Sequence, residues 1–313
     1  ALAQCGRGQG RHGGVLEGWK LFSAPFQADE LVAVDLKSNT RHCHATVVED
    51  CRCSGDATLQ EDREVAVRLV EDGSTAQIKL KRLARVLPAA SQRVIIVADT
   101  IAYRRVARSQ IGRGDVALEV GSCDGFCTHV LTCHAAQAVG IDIVEDLVRT
   151  SRVRYPRCRF EWLDCFEEPE RLQALLAELR PQGSRMTLFV DVGGHATTAM
   201  VCRILAAVAG AAAKVGATPS LVVIKSRNHA TEAAKCCDGE GIVRDAHAFW
   251  RKVAEQPQTR SALQFRRKQA RARAAMWANN PISQVWPFFS AWKRCSKTYQ
   301  QRRACERLLD DAG

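Results

Sequence analysis

The chain has 313 residues with 46% hydrophobic and 25% charged side chains, the ordinary balance of a soluble globular protein that can bury a substantial core. No apolar run approaches the length of a membrane span, so we expect no integral membrane segment. The net charge is +11, and residues 251–307 alone hold 14 Lys/Arg against two Glu. Fourteen cysteines at irregular spacing, without a signal sequence, predict reduced thiols and an intracellular, reducing compartment.

Residues 1–28 are predicted to be a flexible lead-in, and short β-like runs follow over residues 29–90. The runs ELVAVD, CHATVVE, EVAVRLV, TAQIKL and LARVLP are separated by turn-forming stretches such as KSNT, CSGDA and EDGS. Five short strands at this spacing predict a small β-barrel. The closing run VRLVEDGSTAQIKLKRLARVLP resembles the last strands of Tudor-like and SH3-like domains.

That resemblance departs at the residues that would bind a methylated side chain. No Phe, Tyr or Trp occurs between Gln27 and Ala102, whereas a cage for a methylammonium group is built from aromatic rings. We therefore expect a structural module, or a general contact module for protein or nucleic acid.

A second pattern in the same region is typical of a metal site, because HCHATVVEDCRC places two histidines and two cysteines at i, i+2 spacing. A hairpin would bring the four side chains together. Structural zinc sites more often use C-x-x-C, so solvated strand residues are favoured and no metal is predicted. The four residues are His42, His44, Cys51 and Cys53.

Residues 91–230 change to an alternation of strands and helices. VIIVADTIAYRRVARSQI has helical spacing, and the strand-like runs VALEV, AVGIDI, FEWLD, TLFVDV and SLVVIKS then alternate with helical segments. This alternation predicts an α/β fold with a doubly wound, mostly parallel, Rossmann-like sheet. We expect residues 231–313 to form a basic helical extension.

Each predicted strand of this region delivers a polar residue to its carboxyl end, where an open α/β sheet binds its ligand. In strand order these residues are Glu119, Asp142, Asp164, Asp191 and Lys225. The loop after the first strand is G-S-C-D-G, which lacks the G-x-G-x-x-G spacing of dinucleotide sites. Asp142 follows Glu119 by 23 residues, about the separation at which an acid meets ribose hydroxyls.

An acid two residues before the first glycine, with G-x-x-x-G behind it, resembles the class I S-adenosylmethionine-dependent methyltransferases. The resemblance covers residues 92–228 and implies that the first loop holds the methionine part of S-adenosyl-L-methionine. It also implies that the acid after the second strand holds the ribose and that the acid after the third lies near the adenine, although that acid could equally cap the next segment. The implied cofactor residues are Glu119, Gly121, Ser122, Gly125, Asp142 and Asp164.

The acceptor is less well defined by the sequence. The fourth strand ends FVDVGGH, without the Asn/Asp-Pro-Pro-aromatic motif of base-amine methyltransferases. Asp191 and Lys225 resemble two of the four Lys-Asp-Lys-Glu residues of 2′-O-ribose RNA methyltransferases, which implies catalytic roles for both. The upstream Lys position lies nearest Arg104/Arg105, and no convincing Glu follows. An ion pair without a catalytic role is the competing interpretation.

The basic segment 251–307 predicts a polyanionic partner, and RNA is favoured. We therefore predict an S-adenosylmethionine-dependent methyltransferase acting on RNA, with the ribose 2′-hydroxyl as the candidate acceptor. The alternatives are a non-catalytic module that binds or assembles RNA on a retained cofactor fold, and a protein methyltransferase whose substrate docks on the small barrel.

Overall fold

The computed structural model describes residues 14–22, 25–35, 42–51, 63–88, 93–180, 185–193 and 197–236, together with residues 248 and 251. The strands bounded within these residues are β1 (Gly14–Glu17), β2 (Leu31–Asp35), β3 (His42–Val47), β4 (Glu64–Leu69), β5 (Thr75–Lys79), β6 (Leu83–Arg85), β7 (Arg93–Val97), β8 (Val116–Val120), β9 (Gln137–Asp142), β10 (Arg159–Trp162), β11 (Met186–Val190) and β12 (Leu221–Lys225). The helices are α1 (Thr100–Gln110), α2 (Phe126–His134), α3 (Glu145–Arg154), α4 (Pro169–Glu178), α5 (Thr198–Val215) and α6 (Arg227–Cys236).

The larger sheet confirms the predicted parallel α/β architecture. Its seven strands run in the order β1-β7-β12-β11-β8-β9-β10, and every pairing is parallel. From β8 the chain winds outward through β9 and β10, and then returns to β11 on the other side of β8. The pair β8/β11 is therefore the switch point, where a doubly wound sheet opens a crevice at its carboxyl edge.

Helices cover both faces of this sheet, so its strands are apolar on both sides. Leu118 and Leu188 point into a core shared with α4, α5 and α6, whereas Ala117 and Phe189 point into a core shared with α1 and α2. Both cores are formed by consecutive residues of the same strands, because successive side chains alternate between the two faces.

The beginning of the chain differs from the prediction. Residues 14–17, which fall inside the predicted lead-in, form β1 and pair in parallel with β7 at the edge of the large sheet. Leu16 and Leu21 are fully buried there. The segment VIIVADTIAYRRVARSQI, predicted to have a single helical period from residue 94, instead forms a strand followed by a helix. The β-branched run of β7 forms a strand, and α1 begins after Asp99, whose side chain accepts the backbone N–H of Ala102.

The smaller sheet contains the five strands that were predicted between residues 29 and 90. It is antiparallel, with the order β5-β4-β3-β2-β6, so the last strand returns to pair with the first. Its core includes Phe26, Val34, Val67 and Leu83. Strands β5 and β6 lie at the two edges of the described pairings, and closure into a barrel stays a prediction.

The small sheet is attached to α1 of the large one by buried polar contacts. Gln110 accepts the backbone N–H of Leu87 at 3.0 Å and donates to the carbonyl oxygen of Arg85 at 2.7 Å. Within the small sheet the Arg85 guanidinium forms a buried ion pair with Glu30 at 2.7 Å, and it also donates to the carbonyl oxygen of Lys20, which follows β1, at 2.9 Å. Each of these groups is removed from water, so each requires its partner, and the contacts fix the two sheets against each other.

The expectation that no apolar run approaches the length of a membrane span is wrong for α5. Helix α5 has 18 residues with a mean hydropathy of 1.6, enough by length and composition alone. In this fold it is the crossover between β11 and β12, where Val201, Ile204 and Val208 pack into the large core. Most of the predicted basic extension, including nearly all of residues 251–307, lies outside the described residues.

Candidate functional site

The crest of the large sheet, formed by the carboxyl ends of β8, β9, β11 and β12, brings most of the predicted site residues together. The glycine loop, residues 121–125, leaves β8 at the switch point. The backbone N–H groups of Gly121 and Ser122 both donate to the carbonyl oxygen of Ile141, at 2.9 and 3.1 Å. The loop is therefore bonded to the end of β9, next to Asp142.

Both glycines of the loop are required by close packing within the protein. Gly121 has a φ of +82°, and a Cβ there would lie 1.9 Å from the carbonyl oxygen of Asp191. Gly125 has a φ of +77° and precedes α2, and a Cβ there would lie 2.8 Å from the Ser151 hydroxyl and from the Phe160 ring. A side chain at position 121 would push the loop away from the end of β11, and one at position 125 would push it away from α3 and β10.

Asp142 connects two loops of the crest through its carboxylate. One oxygen accepts the backbone N–H of Cys123 at 2.8 Å, and the other accepts that of Val144 at 3.0 Å. The first contact fixes the middle of the glycine loop, where Cys123 has a φ of +47°. The second fixes the start of α3. The predicted ribose-binding acid is thus in direct contact with the predicted methionine-binding loop.

Ser122 was predicted as a cofactor residue, whereas Gly140, which packs against it from β9, was not recognised in the sequence. The Ser122 hydroxyl is buried and has no hydrogen-bond partner within the described residues. Gly140 in β9 has no room for a side chain, because a Cβ there would lie 2.4 Å from the Thr128 hydroxyl and 2.7 Å from the Ser122 Cβ. The only sequence signal for Gly140 is a glycine inside a strand.

Glu119 lies below the crest, in a buried cluster between β8, α1 and α2. Its side chain is 1% exposed and accepts the hydroxyl of Thr128, while Tyr103 and Cys127 lie against the same carboxyl group. Burial raises the pKa of Glu119 to about 7, although the hydrogen bond from Thr128 opposes the shift. Burial also raises the pKa of Tyr103 and that of Cys127. A carboxyl group in this position stabilises the first turns of α1 and α2 around the loop.

Asp164 caps the turn that precedes α4, which is the alternative role considered for it. Its carboxylate accepts the backbone N–H of Phe166 at 2.8 Å and that of Glu167 at 3.4 Å.

An apolar surface that the sequence did not reveal lies between this turn and Asp142. Trp162 is 49% exposed, and Ile143 is 64% exposed. The indole N–H of Trp162 donates to the carbonyl oxygen of Ile143.

Asp191 and Lys225 meet at the crest, as predicted for a catalytic pair and equally for an ion pair. The Lys225 ammonium lies 2.7 Å from a carboxylate oxygen of Asp191 and 3.3 Å from the hydroxyl of Thr100, at the start of α1. Their side chains are 16% and 17% exposed, so each keeps some access to solvent. Because the backbone of Asp191 lies against Gly121, the pair lies directly beside the glycine loop.

The structure also separates the two arginines nearest the missing upstream Lys position. Arg104 lies over the Phe126 ring at 4.2 Å and 3.7 Å from the carboxylate of Asp124, beside the glycine loop. Arg105 instead stacks over Phe22 at 3.9 Å and donates to carbonyl oxygens of the small sheet. Only Arg104 is placed near the crest.

The histidines considered for a metal lie far from this site in sequence and pack together. The rings of His42 and His44 are 5.1 Å apart, and those of His42 and His134 are 4.4 Å apart. Burial, with added repulsion from His134, His44 and Arg108, lowers the pKa of His42 to about 3. Cys53 lies outside the described residues, and the described part of the chain contains no cluster of three or more metal-binding side chains.

No protein family and no curated protein matches the sequence. Among solved structures, a match is the crystal structure of the 23S rRNA methyltransferase ErmE, with 16% sequence identity and a TM-score of 0.28. The match covers 41% of this chain and 46% of that one, so this chain spans less than half the length of ErmE. A likeness of this size assigns no function to the chain.

Proposed function

We propose that this protein is an S-adenosylmethionine-dependent methyltransferase that acts on RNA. The observation that carries the proposal is the bond between the Asp142 carboxylate and the backbone N–H of Cys123, 2.8 Å long, at the switch point of a parallel sheet. It joins the acid expected to bind a ribose to the loop expected to bind an amino-acid group, and both belong to one crevice.

The residues of the crest fit the cofactor. Each Asp142 oxygen accepts one backbone N–H and keeps a second lone pair, with which it can accept a ribose hydroxyl. The Ser122 hydroxyl supplies a buried polar group without a partner in the described chain. Trp162 and Ile143 supply exposed apolar surface next to Asp142 for a purine ring. When bound, the cofactor would supply an electrophilic methyl group on a sulfonium.

We propose that Asp191 and Lys225 act on the acceptor, and that the acceptor is a ribose 2′-hydroxyl. As the hydroxyl oxygen takes up the methyl group, its proton must leave. We propose that Lys225 first releases a proton to solvent and then takes up the hydroxyl proton, which returns it to the ammonium that pairs with the Asp191 carboxylate at 2.7 Å. The Thr100 hydroxyl accepts a hydrogen bond from the same nitrogen at 3.3 Å, and this contact restricts the position of the nitrogen.

RNA is proposed as the substrate because of charge. Residues 251–307 hold 14 Lys/Arg against two Glu, and such a segment attracts a polyanion and concentrates it near the protein. An intracellular location fits the same proposal. The prediction for this segment rests on its sequence, since nearly all of it lies outside the described residues.

Calorimetry with S-adenosyl-L-methionine tests the cofactor site. We expect binding by the parent chain and a large loss of affinity in Asp142→Ala. Absence of heat from the parent would remove the proposal. Incubation with labelled cofactor and fractionated RNA and protein then tests the acceptor, because nuclease digestion separates methylated riboses from methylated bases.

The same assay decides between the proposal and its alternatives. Cofactor binding without transfer to RNA or protein indicates a binding module, and label in protein indicates a protein methyltransferase. Deleting residues 1–88 is unsuitable as a test of docking on the small sheet, because it also removes β1 from the large sheet. Substitutions on the exposed face of β5, such as Gln77→Glu, test docking on the small sheet while leaving that strand in place.

A further inference from the structure

A continuous row of ring and guanidinium groups runs along α2, starting beside the glycine loop. The Arg104 guanidinium lies over the Phe126 ring at 4.2 Å. The Phe126 ring meets His129 edge-on, with ring centres 6.5 Å apart, and His129 stacks on Tyr155 with centres 4.7 Å apart and planes 14° apart. We call these four residues the aromatic row.

The row is partly open to solvent and is held on rigid elements. The rings of Phe126, His129 and Tyr155 are all half-buried. Phe126 and His129 lie on α2, and Tyr155 ends α3, where its backbone N–H donates to the carbonyl oxygen of Ser151 at 2.8 Å. Stacked surface of this kind loses little conformational entropy when a ligand binds, because the rings are already ordered.

Positive charge flanks the row on both sides of the glycine loop. Asp124 in that loop lies 3.7 Å from Arg104 and 3.8 Å from Arg154, the last residue of α3. The Arg154 and Asp124 side chains are about half exposed, and at these distances each ion pair contributes little. One carboxylate facing two arginines leaves a net positive site. Arg154 can therefore turn toward a phosphate at small cost, whereas Arg104, whose side chain is 30% exposed, stays over the Phe126 ring.

We propose that the aromatic row is a binding surface for single-stranded RNA that leads to the crest. Its chemistry combines the two contacts that single strands use, which are stacking of bases on aromatic rings and pairing of phosphates with arginine. A duplex hides its base faces and could use only the arginines. An acidic peptide would gain nothing from the rings. Because Asp124 and Phe126 flank Gly125, a strand on the row would reach the glycine loop.

This inference deepens the proposed function, on which its role in substrate delivery rests, but the binding itself is measured separately. The assay uses the full chain with a fluorescein-labelled, unstructured single-stranded RNA of about 20 nucleotides, and its duplex for comparison. Tyr155→Leu should weaken single-strand binding roughly five- to a hundredfold, since stacking of one base contributes about that factor. Tyr155→Phe keeps the ring and should bind like the parent.

The charge contribution has its own matched pair of variants on α3. Arg154→Ala should weaken binding and reduce the slope of log affinity against log salt by about 0.7, the value for one phosphate contact on a single strand. Arg149→Ala removes a more exposed arginine that pairs with Asp146 instead of Asp124, and it should change the slope much less. Thermal unfolding of each variant shows whether the fold is retained.

Cross-linking locates the RNA directly, which matters because residues 251–307 are expected to bind it too. RNA containing 4-thiouridine should form adducts on the peptides that carry His129 or Tyr155. Adducts confined to other peptides, together with parent-like affinity in Tyr155→Leu and Arg154→Ala, would overturn the inference. Such a result would leave cofactor binding intact, whereas failure of the proposed function would show as absence of cofactor heat.

Discussion

Gly121 and Asp191 touch at the crest so closely that the backbone of Asp191 occupies the space where a side chain at position 121 would lie. A Cβ at position 121 would lie 1.9 Å from the carbonyl oxygen of Asp191. The loop proposed to hold the cofactor and the strand end proposed to act on the acceptor are therefore one packed unit. Displacement of either one moves the other.

Gly121→Ala should destabilise the protein by at least about 3 kcal/mol, because it adds both backbone strain and a collision with Asp191. Gly73→Ala is the matched control. Gly73 has a similar φ of +75°, but a Cβ there meets nothing within 4 Å, so only the strain of about 1 kcal/mol remains. Urea unfolding of both variants measures the difference. Equal losses of stability in the two variants would show that the collision between position 121 and Asp191 is relieved at no cost.

Asp142→Asn should raise the dissociation constant for S-adenosyl-L-methionine about ten- to a hundredfold. The amide group places a donor against the backbone N–H of Cys123 or Val144, and a charge-assisted hydrogen bond contributes about 1.5–3 kcal/mol. Calorimetry measures the affinity. Asp146→Asn, at an exposed position of α3, is the control and should bind like the parent. Parent-like binding by Asp142→Asn would remove this acid from the cofactor site.

Lys225→Met should lower the methyl-transfer rate about 10²- to 10⁴-fold while leaving cofactor affinity unchanged, since the variant removes the group that takes the proton. A single-turnover assay with saturating RNA and labelled cofactor measures the rate. Lys214→Met, at an exposed position in the last turn of α5, is the control. A rate retained in Lys225→Met would leave the contact with Asp191 as a structural ion pair.

Glu119→Gln should remove a dependence of stability on pH. The folded-state pKa of Glu119 is about 7, against an ordinary value of 4.5, so the folded state binds the extra proton in that window. The unfolding free energy of the parent should therefore fall, relative to the variant, by about 3 kcal/mol as pH rises from 4.5 to 7, and then level off.

Urea unfolding at several pH values between 4.5 and 7.5 measures this difference. Glu167→Gln changes an exposed carboxyl group and should follow the parent at every pH. A constant difference between the parent and Glu119→Gln across the window would show that the Glu119 carboxyl is solvated.

Much of the large sheet was predictable, because its strands and helices have distinct hydrophobic periods. Asp142 and Asp191 were found from their place at strand ends. The same approach did not find β1, since four residues in a glycine-rich start carry no period. It also merged β7 with α1, because VIIV fits a buried strand and a buried helix equally well.

Local periodicity and position along the chain were enough to order the strands and helices from β8 to β12 and to identify the polar residue at the end of each of these strands. The packing of the folded chain then sets which of those residues share a surface. It placed Glu119 beneath the crest, turned Asp164 into a cap, separated Arg104 from Arg105, and aligned Phe126, His129 and Tyr155. Such contacts depend on how helices from distant parts of the chain pack on the sheet, which no local pattern encodes.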